Sequence, residues 1–463
     1  MKGALSICLA LFLCIPPLSA FAETYRVGEG APYSKVGYVA ERLEPGDVVE
    51  ITGDLCETFT LTRHGRHDAP ITIRGVYTQR NGRDVRPAIT AEPDKRPGIE
   101  VRGAWYVIEN LSLTGANGTP GAESALHVRA SHVTVRNCRI HHNRQGLSAF
   151  GDIRDLTVEF CEFDSNGAGS NRHSIYVIST AAGGVFTLQH CWLHDGVGGV
   201  LVKTRFPENV IRYNWFESAF YAMFKLVSLQ KTPRHVTDER LPHVRNADIV
   251  GNVFFGGWSP GPQWSAITIG GESDGIEGDV NIAHNLFIST NAAWKPALGE
   301  SADRPTPLLA HGNIDHIRVY NNVFLDYGTA GSTIYHRGWV TQSARTERFV
   351  ERRGGGEPVI EASNNWICEK AMGIPQSFRN TTRGMNPRFM DLAEGDFRPV
   401  IDSPLNGAGL SDLPRGRLVP LAPEYEPQKG IRADRKPRRR PQADPPSIGP
   451  FECPERAQTA SPR

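Results

Sequence analysis

Eight times the chain repeats one short pattern: an aliphatic residue, two residues, an Asn or Cys, one residue, then a large apolar residue. The copies are Val135-Cys138-Ile140, Val158-Cys161-Phe163, Leu188-Cys191-Leu193, Ile211-Asn214-Phe216, Ile249-Asn252-Phe254, Ile282-Asn285-Phe287, Val319-Asn322-Phe324 and Ala362-Asn365-Ile367. A recurring period of about 20–50 residues marks a solenoid, in which each unit buries its apolar face only against its neighbours. Alternation at a period of two within each copy makes the unit a strand rather than a helix. The expected fold is therefore an all-β, single-stranded right-handed parallel β-helix, with an N-terminal cap and long corner loops.

A solenoid grows by adding coils, so 463 residues read as one elongated domain, not three. The first residues have the form of a secretory signal: Lys2, an apolar run from Ala4 to Ile15, then Ala20-Phe21-Ala22 as a small-x-small cleavage site. The expected organisation is a signal peptide over 1–22, the β-helix with its cap and closing segment over 23–453, and a disordered tail over 454–463. The apolar run is too short to span a bilayer, so a periplasmic or secreted protein without a membrane span is expected. With 51 basic and 50 acidic residues there is no global field to attract nucleic acid, and any acidic ligand must meet a local cluster. Cys138, Cys161 and Cys191 fall on the repeat's Asn position and read as a buried ladder of apolar filler; the pairing of Cys56, Cys368 and Cys453 stays open.

Ahead of the first coils, Tyr38 to Leu43 is a short amphipathic stretch that suits a helix plugging the open end of the solenoid. Long inserts over Gln230–Arg245, Gly256–Ser265, Asn291–Pro307 and Tyr335–Glu357 read as corner loops walling one face. From Asn386 the chain leaves the repeat and reads as a closing segment folded back along the solenoid. Its basic run, Arg435 to Arg440, is either a solvated loop or a polyanion patch.

A second short strand precedes each copy, and alternation assigns its faces. Leu126, Val128, Ile175, Val177, Val200, Val202, Phe224 and Leu226 point inward. His127, Arg129, Ser148, Ser174, Tyr176, Lys203 and Lys225 are left outside, on coils about 4.8 Å apart. A plain solvated face is the alternative to a ligand site here. Lys203 and Lys225 lie 22 positions apart, close to one coil. Two ammonium groups about 5 Å apart repel by roughly 3 kcal/mol at an effective dielectric near 20. Losing one proton relieves this and leaves a neutral amine that can take a proton from carbon.

The stretch Gly199-Val200-Leu201-Val202-Lys203-Thr204, followed by Glu208 to Asn214, resembles the catalytic region of the β-helical polysaccharide lyases that include alginate lyases and chondroitinase B. The resemblance covers a coil or two. It implies Lys203 as the base and Lys225 where that family has an assisting Arg. That family's calcium uses acidic residues just before the Lys, where this chain has Gly198 and Gly199, so no metal or other cofactor is expected.

One coil earlier, His173 and Tyr176 offer a base and an acid. Arg205, Arg129, His127, Asn171 and Arg172 are the candidate substrate contacts, with Arg205 neutralising a carboxylate beside the lysines. The expected activity is β-elimination on an acidic, uronate-containing polysaccharide by a monomer. A uronate C5-epimerase uses the same proton abstraction. A glycoside hydrolase needs paired carboxylates, which the outward strand positions lack, since Asp195 and Glu217 sit at corners. A non-catalytic polysaccharide-binding protein, with Trp192, Trp215, Trp258 and Trp264 stacking on sugars, is the remaining reading.

Overall fold

The computed structural model describes residues 22–93, 97–229, 244–256, 265–270, 276–289, 306–310, 314–326, 359–369, 374–430 and 436–459. The leader and almost all of the four corner inserts, with Trp258 and Trp264, lie outside these residues.

A full coil runs through three short strands, one in each of three parallel sheets. A representative coil comprises Asp155–Glu159 in sheet A, Glu162–Asp164 in sheet B and Ile175–Ser179 in sheet C. Among the described residues, sheets A, B and C contain 13, 12 and 9 strands, and the ladders between coils are parallel. This is the right-handed parallel β-helix, and the sequence repeat is its register. The aliphatic positions pair coil to coil from Val135 through Val158, Leu188, Ile211, Ile249, Ile282 and Val319 to Ala362. The large apolar positions pair likewise from Ile140 to Ile367. Phe216, Phe254, Phe287 and Phe324 stack with centroids 4.8, 5.0 and 4.8 Å apart. Each buried Phe contributes about 2–3 kcal/mol of apolar transfer, so this inner stack holds the coils together.

Between these two positions runs the ladder. Asn214, Asn252, Asn285, Asn322 and Asn365 are fully buried, and each side-chain oxygen from Asn252 onward accepts the backbone N–H of the Asn one coil before, at 2.8–2.9 Å. The cysteines form the buried, unbridged ladder the sequence suggests, and they also follow the same hydrogen-bond pattern. The Cys138 N–H donates to Cys161 Sγ and the Cys161 N–H to Cys191 Sγ, both at 3.4 Å, while Cys161 Sγ donates to the Val135 and Glu159 carbonyls. All six described cysteines are free thiols, Cys56 exposed and the others buried.

The residue before each ladder position turns the A–B corner with positive φ, from Asn137 at 51° to Asn364 at 54°. Asn, His and Gly tolerate this conformation, and Phe160 and Tyr213 reach it while stacked on either side of His190, at 4.8 and 5.0 Å. At Gly251 a Cβ would press on Tyr213 and Pro423 at 3.1–3.2 Å, so a side chain there would have to displace these neighbours by a few tenths of an ångström.

The cap differs from the expected single helix. Thr24–Val27 already pairs with Val48–Ile51, so the solenoid begins one strand earlier, and two single 3-10 turns, Val36–Tyr38 and Ala40–Arg42, close the end. Val36, Val39, Ala40 and Leu43 bury themselves, and the Glu57 carboxylate accepts the N–H groups of Val36 and Gly37, both at 2.8 Å.

The closing segment does return along the coils, over the outside of sheets A and B. Arg417 grips Glu208 through Nε and Nη2, and the Asp248 carboxylate accepts the N–H groups of Arg417, Leu418 and Val419. Phe397 stacks on Trp215 at 5.3 Å, and Lys429 lies 3.0 Å from Glu217. Within the basic run, Arg438 pairs with Glu426 and the buried Arg440 with Glu452 at 3.1 and 3.2 Å, so these two cations help hold the segment together. The tail is not wholly irregular either, since Pro454–Thr459 is a short helix. Among the described residues, no helix is long and apolar enough to cross a membrane.

Candidate active site

Sheet C positions the candidate residues through its register. Glu100, His127, Ser148, Tyr176, Lys203, Lys225 and Thr268 are consecutive Cα partners down one column. The alternation argument holds: Leu126, Val128, Ile175, Val177, Val202, Phe224 and Leu226 are all fully buried inside the coil. Ser174 departs from it, being fully buried one residue ahead of its strand. Although the column faces outward, His127, Ser148 and Lys203 are also buried, whereas Tyr176 and Lys225 are half-buried.

The groups pack as a chain of edge-to-face rings. His127 meets Phe150 at 5.4 Å, Phe150 meets Tyr176 at 5.4 Å, and Tyr176 meets His173 at 5.2 Å. Cations close the other side of the phenol. Lys203 Nζ stands 5.0 Å from the Tyr176 ring centroid, and Arg205 Nε donates to Tyr176 Oη at 3.0 Å. Electropositive groups over a ring face and at its oxygen are both favourable, the more so in a site largely closed to water.

Several candidates take roles other than those the sequence suggests. The His173 Nδ1 accepts the Val200 N–H at 3.0 Å, so the neutral ring carries its proton on Nε2 and serves as a donor, not a base. Gly199 makes this contact possible, because a Cβ there would stand 2.3 Å from that nitrogen. Arg205, at 1% exposure, has its guanidinium on Tyr176 and on the Ser228 carbonyl instead of open to a ligand. Arg129 and Arg102 both pair with Glu100, at 3.1 and 3.0 Å, and Arg172 pairs with Glu123 at 2.7 Å. Asn171 stays exposed at the corner. His127 Nδ1 lies 2.6 Å from Ser148 Oγ, which bonds on to Ser124 at 2.8 Å. Burial above all, then Arg129, pushes the His127 imidazole down to about 4, so it is neutral at pH 7.

Sequence reasoning missed Glu100, Phe150 and Arg245. Glu100 lies on a three-residue strand, too short to show alternation. Phe150 is the penultimate residue of a longer strand, Gln145–Gly151, whose pattern did lead outward. Arg245 is a buried cation near Arg205, and burial followed by the Arg205 charge pushes it down to about 10. On the far side, Glu162, Asp164 and His194 offer ligand-type atoms within 4.8 Å of one another. They already form an ion-pair network: Asp164 is held by Arg139, and His194 by Glu162 and Asp195 at 3.3 and 2.7 Å. Burial lowers the His194 pKa, but its bonds to Glu162 and Asp195 outweigh this and raise it, which favours imidazolium over a metal ligand.

Comparison with known proteins agrees on architecture. A family model described as a right handed beta helix region matches residues 71–232. A search of curated proteins gives no match. Among solved structures, the chain is similar to pectate lyase Pel9A, at 14% identity over 93% of this chain and 96% of that one, with a TM-score of 0.49. It is similar to an alginate lyase of the PL6 family, AlyGC, at 12% identity over 78% and 53%, TM-score 0.38. The pectin methylesterase of Aspergillus niger gives 13% identity over 69% and 90%, TM-score 0.37. Such distant likenesses assign no chemistry to this chain.

Proposed function

We propose that the protein is a polysaccharide lyase that cleaves an acidic, uronate-containing polysaccharide by β-elimination. The observation that carries this reading is the column itself, which sets Lys203 between Tyr176 on one coil and Lys225 on the next. β-Elimination requires a base for the proton beside the carboxylate, positive charge to hold the resulting enolate-like carboxylate, and a proton for the departing oxygen. Lys203 supplies the base as its neutral amine, Lys225 the charge on the half-exposed rim, and Tyr176 the proton. His173, with its proton on Nε2, packs edge-to-face against the Tyr176 ring instead of abstracting a proton.

The closing segment covers the outer faces of sheets A and B around Glu208, Trp215 and Asp248, while sheet C carries the column of basic side chains and aromatic rings that a chain-like ligand would meet. A secreted or periplasmic monomer acting without a metal fits this reading. The test is to incubate the purified protein with a panel of acidic polysaccharides and follow ultraviolet absorbance. Release of unsaturated uronate supports a lyase. New reducing ends without unsaturation indicate a hydrolase, inverted uronate without cleavage an epimerase, and binding alone a non-catalytic protein; each of these overturns the proposal.

A further inference from the structure

The Arg205 guanidinium is buried at the end of strand Val202–Arg205 and donates to the Tyr176 phenol oxygen and the Ser228 carbonyl. A carboxylate-binding arginine needs its fork turned toward the ligand. This fork is turned toward a side chain of the site. We infer that Arg205 is a positioning residue acting through Tyr176: it fixes the phenol oxygen and stabilises the phenolate formed when Tyr176 gives up its proton. The inference rests on the lyase reading for its place in the reaction, and on the geometry for the coupling of the two residues.

Among the described residues, basic side chains and aromatic rings flank the phenol. Lys203 stands over the ring from the next coil, with Lys225 one coil beyond, and Arg205 is at the oxygen. Ser148 is the register neighbour on the preceding coil, and Phe150 and His173 meet the ring edge-on. Arg245 adds charge close to Arg205. Nearby positive charge and a charge-assisted hydrogen bond both favour the ionised form of a phenol.

The elimination then balances within the site. The Lys203 amine takes the proton from the carbon beside the carboxylate, and the electron pair left there becomes the carbon–carbon double bond as the neighbouring carbon–oxygen bond breaks. The departing oxygen takes the Tyr176 proton and becomes a hydroxyl. Lys203 is left as ammonium and Tyr176 as phenolate, side by side. Passing one proton from the first to the second restores both, with no net exchange with solvent.

Tyrosinate absorbance, titrated with pH in the absence of substrate, tests the coupling. The difference between wild type and Tyr176→Phe isolates the Tyr176 step. It should lie at lower pH than the ordinary tyrosine range, while burial moves Tyr106, Tyr213 and Tyr320 the other way. In Arg205→Gln the step should move to higher pH, and kcat should fall about 100-fold, in the range of a lost acid–base contribution, with KM changed by less than about threefold. Raised KM with unchanged kcat and an unmoved Tyr176 step would mean that Arg205 binds substrate, overturning the inference. So would a wild-type Tyr176 step that coincides with ordinary tyrosine. If Arg205→Gln does not fold, Arg205→Lys keeps the charge but cannot serve both acceptors, and the same shift in the same direction is expected. If no polysaccharide yields unsaturated product, the lyase reading fails, yet the titration still decides whether Arg205 controls Tyr176.

Discussion

Two columns of residues run the length of this solenoid in the same parallel register, and they differ in one respect. The inner ladder repeats a single solution, an amide or thiol that accepts from the coil before it and donates to a backbone carbonyl. The outer column of sheet C varies from coil to coil, through Glu100, His127, Ser148 and Tyr176 to the lysine pair Lys203 and Lys225. Identical backbone geometry asks for the same residue wherever the demand is structural. Variation along a column in fixed register therefore points to chemistry, because neighbouring coils are given complementary tasks.

The contrast is sharpest at Lys203. Lys203→Ala should cut turnover by at least about 10³-fold, within the upper range of an acid–base contribution, while the denaturation midpoint stays near that of wild type. Measurable product formation at wild-type rate in that variant would remove the base from the scheme. Asn252→Ala should do the reverse. It strands the buried Asn214 N–H and the Ile211 carbonyl, so unfolding free energy should fall by about 3 kcal/mol. Turnover of the folded fraction should hardly change.

Acid should act on the scaffold between these extremes. His284 is completely buried, with Nδ1 on the Gly449 carbonyl at 3.1 Å and Nε2 facing the Asn321 amide at 2.9 Å, so a second proton has no acceptor. Burial, then nearby Arg440, pushes it down to about 3; burial, then Arg212, pushes His190 to about 4. Their folded pKa values lie below the unfolded ones, so the unfolded chain binds more protons between about pH 6.5 and 4. Stability is then complete above that window and declines as pH falls through it, by roughly 2 kcal/mol per histidine between pH 7 and 5. Denaturant melts at both pH values check this, and His284→Gln should flatten the difference. The smallest effect belongs to the thiol half of the ladder: Cys161→Ala should cost about 1 kcal/mol, because thiol hydrogen bonds are weak and only a small group is removed. A loss equal to that of Asn252→Ala would erase the distinction between the two halves.

Much of this was legible in the chain. Val158-Cys161-Phe163 and its copies state which residues face the core, and apolar burial leaves little choice of partner but the next coil. The placement of Lys203 beside Lys225 follows from the same register. The cap was less legible, because Tyr38 to Leu43 suits a helix on paper. Two short turns bury its apolar groups equally well and leave Glu57 to accept the freed N–H groups.

By itself the sequence determined the coil, its inner ladders and the outward column on sheet C, because these depend on local alternation and on a repeat that each strand carries within it. Only the tertiary structure decided what the outward groups do. Whether Arg205 meets a ligand or Tyr176, and whether His173 can accept a proton, depends on side chains and backbone N–H groups brought together from different coils. Hydrogen bonds and buried charges are directional and short-ranged, and no periodicity in the chain encodes which partner will stand three ångströms away.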